Sequence, residues 1–456
     1  MEILILLTFV IGYGLIAFEH SVSIDKAATA LVMGTVCWGL FVLGQHSPPE
    51  HLMEEYQVFS VSHQHLDNIL GHFFEHRLLH HLEEIASILF FLLGAMTIVE
   101  LVDKYQGFSL VTNRIKTVYK VKLLWVICIL SFFFSAALDN LTTSIVMISL
   151  LRKLIADKKT RWFFAGFVVI AANAGGAWSP IGDVTTTMLW IGGQITTLPT
   201  VTTLFLPSLV ALIVPLTIAS FLLKGSTSRP ERNQISQRES PVAERDKKLI
   251  FGLGVAGLLF VPVFKTATHL PPFMGMMLSL GLLWTITELL NKRRNHANKK
   301  EFSVVAVLQK IDTASVLFFL GILLAVAALS EVGHLVTASN FLRNKIGNVY
   351  GINLTIGLLS AIVDNVPLVA ASMQMYEVTP SVSTLEWDQL FVKDGIFWQF
   401  LAYCAGTGGS ALIIGSASGV AVMGLEKIDF FWYLKNISFY AIIGFFAGAF
   451  VLYMIL

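Results

Sequence analysis

Long apolar segments recur along the whole chain and alternate with short polar stretches that carry most of the charge. A hydrocarbon core of about 30 Å takes roughly 20 helical residues to cross, so each apolar segment of about that length is a candidate membrane span. The candidates lie at residues 1–17, 24–45, 84–103, 121–150, 162–192, 199–223, 249–268, 272–291, 312–335, 349–375, 395–425 and 430–456. This pattern predicts an all-α polytopic membrane protein.

Positively charged residues fall mainly in four polar stretches and predict which segment ends face the cytoplasm. These stretches are 104–122, 151–161, 224–248 and 292–310. By the positive-inside rule all four are cytoplasmic, yet two of them flank the single segment 121–150. We therefore predict that this segment turns back as a re-entrant hairpin with Asp139 near its tip, facing protein or water rather than lipid. By the same reasoning, segment 349–375 is a second hairpin that enters from the opposite face.

Two halves of the sequence share motifs in the same order. The matches pair Ser135-Ala-Ala-Leu-Asp139-Asn140 with Ser360-Ala-Ile-Val-Asp364-Asn365, Gly175-Gly176 with Gly408-Gly409, and Gly182-Asp183-Val-Thr185 with Gly415-Ser416-Ala-Ser418. Repeats of opposite topology are typical of secondary transporters that bind substrate near the middle of the bilayer. We predict a first membrane repeat at 1–223, a cytoplasmic linker at 224–248 and an inverted second repeat at 249–456. Each repeat would hold one re-entrant hairpin and one broken helix, unwound at its Gly pair.

Composition narrows the range of partners. Apolar residues make up 55% of the chain, charged residues 13%, and the formal net charge is +1. These values argue against a nucleic-acid partner and against an appended cytosolic enzyme. We expect the lipid bilayer as the main partner, a homodimer as a candidate assembly, and the cytoplasmic (inner) membrane of a bacterium as the location.

Three ionisable residues, Asp139, Asp183 and Asp364, lie deep in predicted membrane segments. A charge there costs at least about 2.5 to 3.5 kcal/mol, so each calls for a functional role, although a single Asp could instead cap a helix or join two helices. Hard cations take oxygen ligands, and we predict that these three Asp residues hold Na+. Further oxygens near them come from Ser135, Asn140, Thr142, Thr143, Asn173, Thr185, Thr186, Ser360, Asn365, Ser416 and Ser418. The hydroxyls are weaker candidates, because Ser and Thr often bond back to a helix carbonyl.

The same carboxylates can bind a proton in place of a cation. Because Na+ or Li+ and H+ then compete for one site, exchange follows from alternating access to the two sides of the membrane. We therefore predict a sodium (and lithium)/proton antiporter that needs no cofactor besides the transported ions and is not an enzyme. Two other carboxylates, Glu100 and Glu331, lie near the ends of their segments, where interfacial anchoring is the expected role.

Histidines crowd the stretch 46–83, which we interpret as a solvated loop. Because histidine titrates near neutral pH, some of them are candidate pH sensors. These candidates are His76, His80 and His81. Within the stretch, His72-Phe-Phe-Glu75-His76 also fits a zinc metalloprotease pattern, but the sequence offers no distant third ligand in a matching context.

Several of these motifs resemble the NhaD family of Na+/H+ antiporters. The resemblance is carried by His80-His81-Leu-Glu-Glu-Ile-Ala-Ser-Ile-Leu-Phe-Phe-Leu-Leu-Gly94, Leu138-Asp139-Asn140-Leu-Thr142-Thr143, Asn173-Ala-Gly-Gly-Ala-Trp-Ser-Pro-Ile-Gly-Asp183-Val-Thr185-Thr186 and Val363-Asp364-Asn365-Val-Pro367. It extends from Glu19 to Gly424 and implies the fold of the broader ion transporter superfamily. It also implies a role in cation transport for Ser135, Asp139, Asn140, Asn173, Asp183, Thr185, Thr186, Ser360, Asp364 and Asn365, with Ser416 and Ser418 as looser matches.

Three alternative functions stay open at this point. The first is a proton- or sodium-coupled carrier of anions, dicarboxylate or arsenite, in the same superfamily. The dicarboxylate relatives place Ser-Asn-Thr at the hairpin tips, where neutral donors suit a carboxylate, whereas both tips here carry Asp-Asn. The second is an intramembrane metalloprotease built on His72, Glu75 and His76. The third is a channel, although inverted repeats favour a carrier.

Overall fold

The computed structural model describes residues 1–17, 19–44, 47–65, 67–112, 114–230, 242–292, 302–380, 383 and 385–456. Helices dominate these ranges, which also contain two isolated β-bridges, Tyr119–Ser226 and Thr379–Val392. Eight of the described helices are long and apolar enough to cross a membrane. The prediction of an all-α polytopic membrane protein is thus confirmed.

The helices before residue 230 follow the predicted apolar segments closely. They are α1 (Glu2–Ala17), α2 (Lys26–Gly44), α3 (Met53–Ser62), α4 (Ile69–Lys104), α5 (Lys120–Leu138), α6 (Asn140–Leu154), α7 (Lys158–Ala177), α8 (Val184–Ile191) and α9 (Thr197–Leu222). Short helical turns occupy Glu19–Val22, Glu50–Leu52 and Ser109–Thr112. The stretch 46–83 differs from the expected loop, because α3 lies within it and α4 already begins at Ile69.

The helices after residue 242 are likewise close to the predicted segments. They are α10 (Glu244–Thr268), α11 (Pro272–Asn291), α12 (Thr313–Glu331), α13 (His334–Ile346), α14 (Val349–Leu359), α15 (Asn365–Met375), α16 (Ile396–Gly408), α17 (Ala417–Glu426), α18 (Phe430–Asn436) and α19 (Ser438–Ile455). Short helical turns lie at Val304–Leu308 and Glu386–Gln389. Local chemistry sets several starts: Pro272 occupies the first position of α11, where its missing N–H costs nothing, and the Asp157 side chain caps α7 by accepting from the Thr160 N–H at 2.8 Å.

Helix breaks fall inside four of the predicted apolar segments. α5 and α6 are separated by Asp139 alone, and α14 and α15 by residues 360–364. The chain also leaves the helix at 178–183, between α7 and α8, and at 409–416, between α16 and α17. The prediction that the helix unwinds at the first Gly pair was wrong, because α7 continues through Gly175 and Gly176 as far as Ala177. The opposite membrane orientation of the two repeats stays a prediction.

Close backbone approach explains these glycines instead. A Cβ atom at Gly175 would lie 2.1 Å from the Phe132 carbonyl oxygen, and a Cβ atom at Gly408 would lie 2.1 Å from the Gly357 carbonyl oxygen. Phe132 and Gly357 each stand three residues before the serine of the repeated Ser-Ala motif. The broken helix therefore packs against its hairpin in the same way in both halves, at a distance that excludes any side chain.

The chain divides into two compact units that do not coincide with the predicted repeats. One unit comprises residues 1–90, 312–352 and 366–378, and the other comprises 91–311, 353–365 and 379–456. The second unit contains every residue predicted to bind the cation. Repeat boundaries at 1–223, 224–248 and 249–456 describe sequence similarity and stay a prediction; residues 231–241 of the linker lie outside the described part of the chain.

In the first unit, α2 packs against α12 along most of its length. A Cβ atom at Gly34 would lie 2.5 Å from the Gly321 carbonyl oxygen, so the two backbones nearly touch. The Trp38 indole N–H donates to the Leu324 carbonyl at 2.9 Å, close to this contact. Small residues thus bring the helices together, as is usual for helices packed in a membrane.

In the second unit, one buried carboxylate links the ends of α6, α7 and α17. Glu426, at the end of α17, has a side chain that is 1% exposed. Its two oxygens accept from Arg152 Nε at 2.6 Å and from Arg161 Nε at 2.7 Å, and its backbone oxygen accepts from the Trp162 indole at 3.0 Å. Because Arg152 ends α6 and Arg161 begins α7, this cluster holds the hairpin and both broken helices in register.

We expect Gly175→Ala to lower the apparent melting temperature of the purified protein. The added methyl group would meet the Phe132 carbonyl oxygen, and overpacking of this kind typically costs about 1 to 3 kcal/mol. Gly252→Ala in α10 is the matched control, because nothing lies within 4 Å of its Cβ position. The melting temperature is measured by intrinsic fluorescence in detergent. Equal melting temperatures for both variants would contradict the close approach of α5 and α7.

We also expect Glu426→Gln to destabilise the protein. Removing one partner of a buried ion pair leaves uncompensated charge and typically costs roughly 3 kcal/mol or more. Glu83→Gln removes an exposed carboxylate of α4 and should change stability by less than about 0.5 kcal/mol. The temperature at which the monodisperse peak disappears in size-exclusion chromatography distinguishes the two variants. A Glu426→Gln protein as heat-resistant as the Glu83→Gln protein would rule out a stabilising role for the cluster.

Candidate cation site

Asp139 forms the whole break between α5 and α6. Its backbone has φ 75° and ψ 161°, a region that residues other than glycine rarely adopt and that costs about 1 to 3 kcal/mol. The carboxylate turns back onto the next helix, where Oδ1 accepts from the Thr142 N–H at 2.7 Å and Oδ2 accepts from Thr142 Oγ1 at 2.9 Å. A strained backbone retained at a half-buried carboxylate is typical of functional sites.

Asp183 stands at the corresponding end of the second break, directly before α8. Its side chain is almost fully buried, and Oδ2 accepts from Thr185 Oγ1 at 2.9 Å. The matching position before α17 is Ser416, whose Oγ lies 3.1 Å from Ser418 Oγ. The pair Asp183–Thr185 in one half thus corresponds to the pair Ser416–Ser418 in the other half. The second broken helix therefore has a hydroxyl where the first has a carboxylate.

Asn173 joins the two halves through its side-chain amide. Its Oδ1 accepts from Asn140 Nδ2 at 3.0 Å and from Ser418 Oγ at 2.7 Å. Its Nδ2 donates to Ser410 Oγ and to Ser416 Oγ, both at 3.0 Å. All five side chains are buried. The first hairpin, the first broken helix and the second broken helix therefore meet at one residue.

The second hairpin reaches the same region in a different way. Asn365 Nδ2 donates to the Ala405 carbonyl at 3.3 Å, because the position that corresponds to Asn173 is Gly406, which offers no side chain. Ser360 Oγ donates to the Gly357 carbonyl at 2.8 Å. Asp364 is half-buried at the start of α15.

Negative charge concentrates here. Asp183 lies close enough to Asp139 and to Asp364 for each of these two carboxylates to act on its charge. In the part of the chain that the structure describes, neither Asp139 nor Asp183 forms an ion pair with Lys or Arg. Each of the three precedes the N-terminus of a helix, and the helix dipole favours negative charge at that end.

The predicted hydroxyl residues lie in the same unit but do not all face one point. Ser135 Oγ donates to the Ala172 carbonyl at 2.6 Å, and Thr186 Oγ1 donates to the Ala177 carbonyl at 3.4 Å. These hydroxyls stabilise the broken backbone and keep free lone pairs for a ligand. Among the described residues, no group of three or more His, Cys, Asp or Glu side chains could hold a metal ion. A bound Na+ would therefore take amide, hydroxyl and carbonyl oxygens in addition to carboxylates.

Sequence reasoning missed two polar residues of this region, Ser410 and Ser144, and did not foresee that Thr143 lacks a partner. Ser410 accepts from Asn173, as described above, and Thr143 Oγ1 and Ser144 Oγ are buried on α6 with no hydrogen-bond partner among the described residues. Thr143 was named as a nearby oxygen, but its lack of a partner could not be seen in the sequence. Ser144 follows Asn140 by four residues, so helical spacing was a usable signal. For Ser410 the signal was its place after the Gly pair.

Only one of the three candidate pH-sensing histidines is buried in an ionic cluster. His81 is 5% exposed, and its Nε2 lies 2.7 Å from Glu331 Oε1. Arg77 Nη2 contacts the same Glu331 oxygen at 2.6 Å, and Arg77 Nη1 contacts Glu55 at 2.6 Å. Glu331, interpreted as an interfacial anchor, is in fact 1% exposed, and that interpretation was wrong. The reason is that its partners lie about 250 residues earlier in the chain, on α4.

His72, His76 and His80 also lie on α4 rather than in a loop. His76 and His80 are exposed on α4. His72 Nδ1 lies 3.4 Å from Glu75 Oε2, and both side chains are largely exposed. An exposed pair of this kind lacks the dry, oriented cavity that a zinc protease needs.

Comparisons with known proteins agree with this architecture. The family profile described as "Citrate transporter" matches residues 13–392. The Arabidopsis thaliana proteins named "Sodium/proton antiporter 1" and "Sodium/proton antiporter 2" are 46% and 43% identical; the alignments cover 98% and 97% of this chain and 71% and 97% of those proteins. The Vibrio parahaemolyticus protein named "Na(+)/H(+) antiporter NhaD" is 33% identical over 78% of this chain and 87% of its own length.

Both kinds of match extend over most of the chain. The profile match covers both hairpins and the first broken helix, and the NhaD and plant alignments are long enough to exclude a shared fragment. The resemblance to the NhaD family is thus confirmed, as are the transporter class and the multi-pass membrane character. The chain therefore belongs to the citrate transporter family and, more specifically, to the NhaD family of Na+/H+ antiporters.

Proposed function

We propose that this protein exchanges Na+, and also Li+, for H+ across a membrane. The observation that carries the proposal is the set of three interacting carboxylates at helix breaks, two of which have hydroxyl and amide partners but no basic partner in the described part of the chain. Uncompensated negative charge of this kind attracts a cation or a proton. The names of the plant and Vibrio relatives support the same function.

Each part of the site has a separate task in this proposal. Asp183 and Asp364 bind the cation or the proton, and Asp139 adds a third carboxylate at the hairpin tip. Asn173 holds the two broken helices at a fixed separation and offers its amide oxygen. Because Na+ and H+ neutralise the same carboxylates, binding of one displaces the other. Transport needs no cofactor and no chemical step, so the protein is not an enzyme in this proposal.

The competing function is transport of an anion such as a dicarboxylate, which the name of the matching family suggests. Anion carriers bind the substrate carboxylate at helix N-termini. Here the N-termini of α6 and α8 already carry the side chains of Asp139 and Asp183. A second negative charge would be repelled at both places, which favours the cation.

Location and assembly are part of the proposal as well. We propose the cytoplasmic membrane of a bacterium, supported by the NhaD relative from Vibrio; the Arabidopsis relatives make a plant organelle membrane the competing location. A homodimer is the proposed assembly, to be measured by light scattering of the purified protein. The bilayer and the transported ions are the partners required for function.

We expect Asp183→Asn to abolish sodium-driven proton movement. Everted vesicles from antiporter-deficient cells are energised, and the collapse of the pH gradient is followed after addition of NaCl, LiCl, KCl or sodium citrate. The wild-type protein should respond to NaCl and LiCl. Asp183→Asn should remove the response, and Asp139→Asn and Asp364→Asn should each reduce it strongly, because each removes a carboxylate that would bind the cation or the proton. Asp67→Asn, which changes an exposed carboxylate, should respond like the wild type.

A second variant, Asp183→Glu, distinguishes a loss of transport from a loss of folding. Asp183→Glu keeps the charge, so it should retain part of the response, with an altered preference between Na+ and Li+. A response to sodium citrate without a response to NaCl would replace cation/proton exchange by anion transport. Full activity of Asp183→Asn would eliminate the proposed site.

We expect His81→Gln to change the pH dependence of exchange. His81 faces Glu331, Arg77 also binds Glu331, and the charges of Glu55 and Glu84 act on Arg77. His81 thus belongs to a buried ionic cluster, whereas the side chain of its neighbour His80 is exposed. The initial rate of gradient collapse is measured between roughly pH 5 and 8 for both variants, a range that includes the ordinary titration of histidine, roughly 6.5. Identical profiles for His81→Gln and His80→Gln would exclude His81 as the sensor.

A further inference from the structure

A groove on the second unit lies apart from the candidate cation site. It has a volume of about 540 Å³ and is formed by Val111, residues 114–117 and the first turns of α5. Three exposed basic side chains, Arg114, Lys116 and Lys122, line one end of it. The described residues that line it include no Asp or Glu. One end of the groove is thus strongly positive.

The other end of the groove is apolar. Val126, Ile129 and Leu130 line it along one face of α5, and the Ile129 side chain is 42% exposed. From Lys122 to Leu130 the helix rises about 12 Å. The groove therefore leads from positive charge at the end of the membrane segment to an apolar surface that extends about 12 Å further along α5. A soluble phosphate compound would use only the first part of this surface.

The wall of the groove is held in place by contacts with a distant segment. Arg229 Nη2 donates to the Ile115 carbonyl at 3.1 Å and to the Lys116 carbonyl at 3.0 Å. Two backbone hydrogen bonds join the same two segments. Lys120 N–H donates to the Gly225 carbonyl at 3.1 Å, and Thr227 N–H donates to the Val118 carbonyl at 2.8 Å. The basic residues thus stand on a fixed backbone, and Arg229 adds a fourth positive charge beside them.

One polar atom in the groove lacks a partner. Thr117 lines the groove, and its Oγ1 is buried without a hydrogen-bond partner among the described residues. Buried hydroxyls are nearly always hydrogen-bonded, so each exception requires an explanation such as a bound ligand.

We propose that this groove binds one anionic phospholipid. The phosphate lies among Arg114, Lys116 and Lys122 and accepts from the Thr117 hydroxyl, and one acyl chain follows the apolar face of α5. Basic pockets beside apolar helix surfaces on the cytoplasmic side are suited to anionic headgroups, and the predicted topology places residues 104–122 on that side. Charge alone would attract any phosphate, but the apolar end of the groove selects a lipid.

The proposal is tested by the lipids that remain bound to the purified full-length protein. Protein exchanged into mixed phosphatidylglycerol and phosphatidylcholine micelles is examined by native mass spectrometry. The wild type should retain phosphatidylglycerol in preference to phosphatidylcholine, and the combined variant Arg114→Gln, Lys116→Gln, Lys122→Gln should lose this preference by at least roughly tenfold. Thr117→Val should weaken it to a smaller extent, since one hydrogen bond is lost.

A matched control removes the same number of positive charges elsewhere. Lys159→Gln, Lys248→Gln and Lys292→Gln change exposed residues that are also predicted to be cytoplasmic and that do not line the groove. This variant should bind phosphatidylglycerol like the wild type. Equal losses in both triple variants, or equal retention of the two lipids by the wild type, would overturn the proposal.

A further arm distinguishes a lipid from a free phosphate. Glycerol 3-phosphate and inorganic phosphate, added in large excess, should not displace the bound phosphatidylglycerol, because neither contacts the apolar end. Displacement by either compound would show a phosphate site rather than a lipid site. Substituting Ile129→Asn should weaken lipid retention while leaving the charged end intact, and unchanged retention would contradict the placement of the acyl chain. The binding measurement does not involve transport, so its outcome is independent of the proposed exchange.

Discussion

The fully buried side chain of Asn173 is the constraint on which the rest of the site depends. Its amide oxygen has two donors and its amide nitrogen has two acceptors, contributed by Asn140 and by three serines of the other half of the chain. A buried polar network stabilises a structure only when every member is satisfied. The two broken helices and the first hairpin are therefore fixed together, since moving any one of them would leave buried donors or acceptors unpaired.

This network also shows how far the two halves have diverged while keeping the same backbone packing. The glycines that allow close approach occupy corresponding positions in both halves, with equal distances. The polar side chains do not correspond: Asn173 is matched by Gly406, and Asp183 by Ser416. At these two pairs of positions, one half carries an amide and a carboxylate, and the other carries a glycine and a hydroxyl. In the proposed function, the two halves would together form one site with mixed oxygen ligands, which suits a hard cation.

Much of this could be predicted from the sequence, because apolar length and repeated motifs are local signals. The span Pro272–Asn291 matches its predicted bounds, and the breaks lie within the predicted segments. The exact place of unwinding could not be predicted, since Gly175 is explained by the carbonyl of Phe132, which lies 43 residues earlier. The burial of Glu331 depends on contacts across about 250 residues, which no local pattern reveals.

The placement of negative charge at helix breaks has a consequence for coupling. An ionised carboxylate without a counterion is costly in a low-dielectric surrounding, and a membrane site with several of them is costlier still. Helix N-termini at α6 and α8 reduce this cost but do not remove it, because a helix end carries only about half a unit charge. In the proposed function, the site is therefore most stable when it holds either a cation or protons. A conformational change that carries the site through the membrane is then favoured in the loaded states and disfavoured in the empty, charged state, which is the condition that makes exchange obligatory.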